Sequence, residues 1–514
     1  MSDSRVARRG NLTTTGIILK RGKEVMEGAN SRVSRRFILK GALIGGVVMP
    51  LLAACGGGEA PASPAAGSAA PAPTTAPAAS SSGAATPTAA AASQAAPAAA
   101  APASGQKVTI RAHMVKKSDV SDWIDAGLKA NIDGFKDKNP NITVTLETIP
   151  GWTAEYIPKI LSMVSAGQIG DAVWYPPRHR SAIAWGEQYN VVRDLNPLAK
   201  AANYDMNQFF KGSLDANSWN GKLYWMDYIG EPVCPLIAYN KTAVTKMGVG
   251  EPKDTWTFDD LTTWAKSLTK DGTFGYYRAD AGDDSFGSAP FYRQFGVDFV
   301  DNTGKKSQLL ANKEGFVAAL KYRYDLVNTW KVSPSPAAGT INVTELIGSQ
   351  KLIAGDVWPF RIQGYPDAFK DFEWGFVLRP VVKSGDKPRS MLNEHVFGIT
   401  QASKSPDAAF TFLTWICGKE MNVQGIVQGA KGSIARQDFW EDQRIYDKYP
   451  VYKKLQPVMQ NIEPDYFVGN FRGEEFDQAF AQAYDLMELG KAQPDATADQ
   501  IQKLVQAVLD KEPA

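Results

Sequence analysis

Residues 107–147 read KVTIRAHMVKKSDVSDWIDAGLKANIDGFKDKNPNITVTLE, and two periodicities alternate within them. Val108, Ile110, Ala112 and Met114 alternate against Lys107, Thr109, Arg111 and His113, the period of a strand with one face turned inward. Trp123, Ile124, Leu128, Ile132 and Phe135 then recur at helical spacing, a stripe that Asn139-Pro140 terminates. Ile142, Val144 and Leu146 restore the period of two. Strand, helix and strand in that order predict a βαβ unit, with parallel strands and a right-handed crossover. The expected fold class is α/β.

Downstream segments extend the pattern. Ser405 stands at a helix N-cap, Pro406 suits the first helical position, and Ala409, Leu413 and Ile416 form an apolar stripe that stops at Gly418. A helix is expected from Phe258 to Leu268, with Trp256 at the turn leading into it as a packing residue. Near the end, Thr497 and Gln500 make a capping box ahead of Ile501, Leu504, Val505, Val508 and Leu509. From Lys107 onward there are about 400 residues, more than one hydrophobic core usually holds, so two lobes are expected.

Upstream, residues 56–106 are almost wholly Ala, Pro, Ser, Gly and Thr, with Glu59 the only charge. Such a stretch buries too little apolar surface to offset its ordering entropy and is expected to be a disordered tether. Before it, Arg35-Arg36 and Lys40 fit a twin-arginine export signal, and the uncharged run from Gly41 to Pro50 is too short and Gly-rich to span a membrane comfortably. Leu52-Ala53-Ala54-Cys55 resembles a bacterial lipobox. That resemblance implies cleavage before Cys55 and lipidation of its thiol, so that acyl chains alone hold the mature protein to the membrane. The basic stretch ahead of Arg35 is long for a signal, which raises Met26 as the expected start of translation.

Residues 1–54 hold ten Lys or Arg and three Asp or Glu, so removing them takes the formal charge from +2 to −5. The excess of base belongs to the signal, and no nucleic-acid partner is expected. Beyond Cys55 only Cys234 and Cys417 remain, without metal-ligand spacing, and both are expected as buried apolar thiols. The three histidines, His113, His179 and His395, are widely separated, so no metal or other cofactor is expected. Phosphate-loop, Gly-x-Ser-x-Gly and Cys-His signatures are missing from the sequence, which argues against an enzyme.

Five segments in order resemble the extracellular solute-binding proteins of type 1, which serve ABC import systems and include maltose-binding protein. They are Phe135 to Glu147; Ser165-Ala166-Gly167 through Gly170-Asp171-Ala172-Val173-Trp174, with Gly170 where Pro is usual; Trp219 to Tyr224 with Leu236 to Lys241; Pro252 to Leu261; and Trp374 to Pro380 with Phe397 to Ile399 and Lys404 to Ala409. The resemblance implies a two-lobed periplasmic-binding-protein fold of type II, each lobe a mixed, mostly parallel sheet flanked by helices, with a hinge between. It implies lobe 1 from 107–236 with 393–436 and lobe 2 from 237–392 with 437–514, following a signal at 1–54 and a tether at 55–106. Crossings are expected near Pro235 to Asn240 and near Leu392 to Phe397. The implied partners are a small-molecule ligand, two permease subunits and their ATPase, and the protein is expected to be a monomer at the outer face of the membrane.

Ligands in open α/β sheets sit beyond the C-terminal ends of strands. Aromatic residues after expected strands are therefore candidate contacts: Trp174, Tyr175, Tyr228, Trp358, Phe360 and, after Pro150-Gly151, Trp152. Flat rings suit the apolar face of a pyranose, and Asp171, Glu231, Arg361, Asn393, Glu394 and His395 would supply hydrogen bonds to its hydroxyls. Packing in the lobe core is the competing role for the rings. A charged solute is the competing ligand, held by Glu231 and Glu394 if a polyamine, or by Arg178, His179 and Arg180 if an anion.

Overall fold

The computed structural model describes residues 107–116, 132–151, 153–176, 182–278, 285–336, 341–429 and 432–513. Outside them lie the signal, Cys55 and the tether, as well as Trp123, Ile124, Leu128, Trp152, Arg178, His179 and Arg180. All described residues belong to one compact unit. In chain order the strands are β1 Val108–Lys116, β2 Ile142–Pro150, β3 Ala172–Tyr175, β4 Ser218–Trp219, β5 Lys222–Leu223, β6 Met226–Pro232, β7 Leu236–Asn240, β8 Phe274–Tyr277, β9 Leu352–Val357, β10 Trp374–Leu378 and β11 Leu392–Ile399.

β1 and β2 pair in parallel from Val108↔Ile142 to Lys116↔Pro150, the pairing that a βαβ unit requires. The first part of β1 shows the expected alternation, but from Ala112 onward both faces are buried, including His113 and Val115. β1 lies inside the sheet between β2 and β3, and the helix Pro406–Ile416 packs on it, so the alternation that one-sided burial would give is lost. The buried His113 accepts the Gly170 N–H through Nε2 at 2.7 Å, and burial pushes its pKa down. This explains Gly170: proline has no N–H to give, and a Cβ there would stand 2.6 Å from the Arg111 carbonyl oxygen.

Among the described residues the first sheet has the order β2-β1-β3-β11-β6 and the second the order β10-β7-β9-β8, with β4 and β5 forming a separate ribbon. Parallel pairs are β1 with β2, β1 with β3, and β8 with β9; the strands joined to the crossings, β6, β7, β10 and β11, pair antiparallel with their neighbours. Both sheets are mixed for that reason: β11 enters the first sheet from the edge at which β3 ends.

The second sheet is sandwiched. Ile237, Tyr239, Ile353 and Val377 share a core with Phe258, Leu261, Phe316, Phe480 and Ile501, whereas Leu236, Ala238, Leu352 and Val357 share one with Ile347, Ile362 and Tyr365. The helix Phe258–Leu268 has its expected bounds and carries a capping box between Thr257 and Asp260. Ser405 occupies the N-cap of the helix Pro406–Ile416, but its side chain makes no cap hydrogen bond. The last helix begins at Pro494, a turn before Thr497, whose hydroxyl donates to the Gln493 carbonyl at 2.9 Å rather than capping. Proline at the first helical position outranks the later Thr-x-x-Gln pattern.

Three chain segments cross between the sheets side by side. β6 ends at Pro232 and β7 begins at Leu236, so the first crossing is residues 233–235. There the Val233 N–H donates to the Met391 carbonyl (3.0 Å) and the Arg379 N–H to that of Pro235 (2.9 Å). The tail joins them: the Leu392 N–H donates to Glu463 O (3.1 Å) and the Glu463 N–H to Ser390 O (3.0 Å), while Arg389 grips the Glu463 carboxylate with two bonds of 2.7 and 3.0 Å. Before this third crossing, the helix Tyr452–Gln460 packs against β6 of the first sheet. After it, Tyr466, Val468, Phe476 and Phe480 join that of the second. Cys234 and Cys417 are buried thiols with no disulfide between them.

Candidate functional site

β11 is antiparallel to both β3 and β6, so its first residues lie at the edge where β3 and β6 end. That edge gathers Trp174, Tyr175, Glu231, Asn393 and Glu394, with Glu231 directly opposite Asn393 in the pairing. Asp171 lies at the other edge. Its backbone carbonyl accepts from the Thr400 N–H, and its carboxylate accepts from the Arg111 N–H (2.9 Å) and the Ser403 hydroxyl (2.6 Å). It precedes β3 instead of following it, and it knits strand ends together.

The rings on this edge are packed. Trp174 is fully buried, edge-on to Tyr156 at 5.2 Å and tilted over the His395 ring at 5.5 Å. Tyr175 meets Trp185 at 4.9 Å and Trp225 at 5.5 Å, and Tyr228 meets Phe397 at 5.2 Å. Burial beneath covering rings makes these three part of the lobe core. Glu394 is half-buried and occupied: it accepts the Ser213 hydroxyl at 2.6 Å and the Asn217 amide at 3.0 and 3.1 Å. Glu231 differs. It is fully buried, and desolvation pushes its pKa up to about 8 against the opposing pull of hydrogen bonding by the Phe360 amide and the Asn393 side chain.

That Phe360 amide comes from the second sheet. β9 ends at Val357, Trp358 stays extended, and Pro359 sets φ for the 3-10 turn Pro359–Gly364, which packs against β6. Phe360 is 40% exposed, the highest value with Leu486 and Tyr189 among large apolar side chains of the described residues. Trp358 lies 5.7 Å from its ring and the exposed Arg361 guanidinium 5.4 Å over it. A ring, a neighbouring indole and a cation form an open corner facing the end of β6. Such a corner can stack on the C–H face of a ring-shaped polar ligand while Arg361 donates to its oxygens.

A further aromatic contact was not anticipated from sequence. Trp219 meets Phe467 at 4.4 Å, and Phe467 meets Phe471 at 5.8 Å. Asn220 and Gly221, with φ of 49° and 78°, form the tight turn that puts Trp219 at a hairpin end. That Asn-Gly signal was visible in the sequence; Phe467 had none. A cavity of about 420 Å³ lies elsewhere, beside the crossings, lined by Phe210, Lys211, Lys387, Arg389, Ile462 and Glu463 among others. None of the strand-end candidates lines it, and Arg389 and Glu463 already satisfy each other. No group of three or more His, Cys, Asp or Glu that could hold a metal occurs among the described residues, and no helix there is long and apolar enough to cross a membrane.

Comparison with known proteins agrees with this architecture. The profile of the bacterial extracellular solute-binding protein family matches residues 130–443. Among solved structures, an ABC substrate-binding protein from Listeria monocytogenes in complex with cycloalternan is 19% identical with a TM-score of 0.63, covering 78% of this chain and 99% of that one. The GacH receptor of Streptomyces glaucescens, solved unliganded and with acarbose, is 20% identical with a TM-score of 0.62, covering 79% and 99%. The sugar-binding protein MalE from Xanthomonas citri is 14% identical with a TM-score of 0.67, covering 78% and 97%. These likenesses establish the two-lobed fold. A search of curated proteins found no match.

Proposed function

The chain belongs to the bacterial extracellular solute-binding protein family, and from that premise we propose that it is the lipid-anchored receptor of an ABC importer. It captures a carbohydrate, a mono- or oligosaccharide, by closing its lobes over it and presents the closed shape to two permease subunits and their ATPase. The twin-arginine signal, lipidation at Cys55 and the tether place the lobes outside the cytoplasmic membrane. We assign 107–236 and 393–462 to lobe 1, and 237–392 and 463–514 to lobe 2, moving the last boundary from 437 because the helix Tyr452–Gln460 packs against β6 of the first sheet. The protein acts as a monomer, by binding and not catalysis.

The observation that carries the sugar assignment is the corner formed by the exposed Phe360 and Arg361 with the half-buried Trp358, near Glu231 and Asn393. A pyranose needs an apolar platform and convergent polar groups at once, and this corner offers both. We assign stacking to Trp358 and Phe360, hydrogen bonding to Arg361, Glu231 and Asn393, and support to Trp174, Tyr175, Tyr228, Glu394 and His395. Trp152 keeps its assignment as a ligand contact. Asp171, held at the far edge, takes no part. The sugars named for the Listeria and Streptomyces neighbours agree with this assignment.

A second ligand class is favoured by the buried carboxyl of Glu231, which would suit a cationic solute. Thermal shift of the purified protein against mono- and oligosaccharides, with polyamines, phosphates and amino acids alongside, separates the two. Ligand at a hundredfold over its dissociation constant stabilises the native state by about 2.7 kcal/mol. A rise with one sugar series is expected. Silence from sugars together with a salt-sensitive rise with a polyamine would transfer the site to charged solutes.

A further inference from the structure

Gly170 and Asp171, the two residues ahead of β3, tie that strand to β1 and to the end of β11. The Gly170 N–H donates to His113 Nε2 on β1 (2.7 Å), and the Gly170 carbonyl accepts the Thr400 hydroxyl (2.6 Å). The Asp171 N–H donates to the Arg111 carbonyl (2.7 Å), and the Asp171 carbonyl accepts the Thr400 N–H (2.9 Å). Of these acceptors, the imidazole nitrogen alone takes up a proton near neutral pH. His113 is fully buried. A ring nitrogen accepts a hydrogen bond only while it is unprotonated, so the neutral ring carries its proton on Nδ1, 3.3 Å from Oε2 of Glu147.

We propose that His113 and Gly170 form an acid-sensitive clasp: a proton on Nε2 sets two N–H donors against each other across 2.7 Å, and the start of β3 is released from β1. The proton comes from solvent and adds to the Nε2 lone pair, giving an imidazolium; no other covalent bond forms or breaks. A proline at 170, as in the pattern that this segment resembles, has no N–H to give, and no clasp would form. His113, His179 and His395 all fall in lobe 1 as assigned above, so mild acid finds no histidine to protonate in lobe 2.

The groups around the ring fix the sign. Burial opposes the charged ring most, and Arg111 on β1 adds a like charge. Glu147, opposite on β2, and Asp171 favour the imidazolium, but both are engaged: Arg111 grips Glu147 through bonds of 2.7 and 2.9 Å, and Asp171 accepts from the Arg111 N–H and the Ser403 hydroxyl. From the helix Thr153–Ser165 comes the uncharged Tyr156 hydroxyl, which donates to the Trp174 carbonyl (2.8 Å) and the His113 carbonyl (3.4 Å). The helix Pro406–Ile416, also packed on β1, has one charged residue, Asp407 in its first turn. The balance holds the His113 pKa below its ordinary value of 6.5. Stability from the clasp is therefore fully present above the unfolded value of 6.5 and is lost as pH falls through the lower, folded one.

The test uses the full chain, with the ring carbons of its three histidines labelled for NMR. His179→Gln and His395→Gln identify the His113 signals by elimination. A neutral ring protonated on Nδ1, with a titration midpoint below 6.5, is expected; a midpoint at or above 6.5, or a neutral ring protonated on Nε2, overturns the proposal. Denaturant unfolding between pH 7.5 and pH 5 then compares the wild-type chain with His113→Gln, whose amide oxygen accepts from Gly170 without titrating. Relative to the variant, the wild-type unfolding constant should rise by up to about tenfold per pH unit from 6.5 down to the NMR midpoint, and parallel curves overturn the clasp. If H113Q does not fold, hydrogen exchange at the wild-type Gly170 amide decides instead. Protection, corrected for intrinsic exchange, that falls from pH 6.5 to pH 5 supports the clasp, and constant protection overturns it.

Discussion

Trp174-Tyr175 at the end of β3 and Trp358 to Phe360 at the end of β9 are matched in sequence: a strand, two aromatic rings and one or more prolines. In the first sheet the rings are buried beneath Tyr156, Trp185, Trp225 and His395. In the second, Phe360 stays open, with Trp358 and Arg361 beside its ring. The covering residues decide the outcome, and for Tyr175 and Trp174 two of them, Trp225 and His395, arrive from far along the chain. Aromatic residues after a strand mark a place on the sheet; whether that place is core or cleft is set by what folds over it.

Truncating the buried member should break the fold first. Trp174→Ala removes a fully buried indole, and denaturant unfolding should record a loss of about 3–5 kcal/mol; a loss under about 1 kcal/mol would mean that the ring is a cleft residue after all. Asp171→Ala tests the opposite edge, where it strands the Arg111 N–H and the Ser403 hydroxyl; a stability loss of about 2 kcal/mol with ligand affinity unchanged is expected. Phe360→Ala should invert that pattern, leaving stability within about 0.5 kcal/mol and weakening ligand binding about tenfold, ~1.4 kcal/mol. Ser405→Ala is the smallest effect. N-cap serines contribute about 1 kcal/mol through a side-chain bond, and since Ser405 makes none, unfolding should shift by less than half of that.

Much of the architecture was legible because it is local. The alternation of β1 and β2 and the helix Phe258–Leu268 are each written in fewer than a dozen consecutive residues, and the resemblance supplied the order of segments. Other features depend on distant contacts. The start of the last helix at Pro494 depended on two competing local signals, of which the proline prevailed. The packing of the helix Tyr452–Gln460 on β6, and of Trp219 on Phe467, joins residues far apart in the chain and leaves no periodicity to read. For the site, Glu231 and Asn393 were legible as polar residues near the crossings, but the sealed state of Glu231 is a property of the loop and helix that close over it.

The place of β11 between β3 and β6 has a consequence for biosynthesis. Tyr175 pairs with Val396 and Pro232 with Leu392, so the middle of the first sheet stays an open slot while the entire second sheet is being translated. The half of the protein that is made first cannot be finished first. During that interval β3 and β6 expose unpaired edges of the kind that invite aggregation, and long-range closure of this sort slows folding. A ribosome-bound chain that stops short of Met391 should therefore bind holdase chaperones far longer than one released past Ile399.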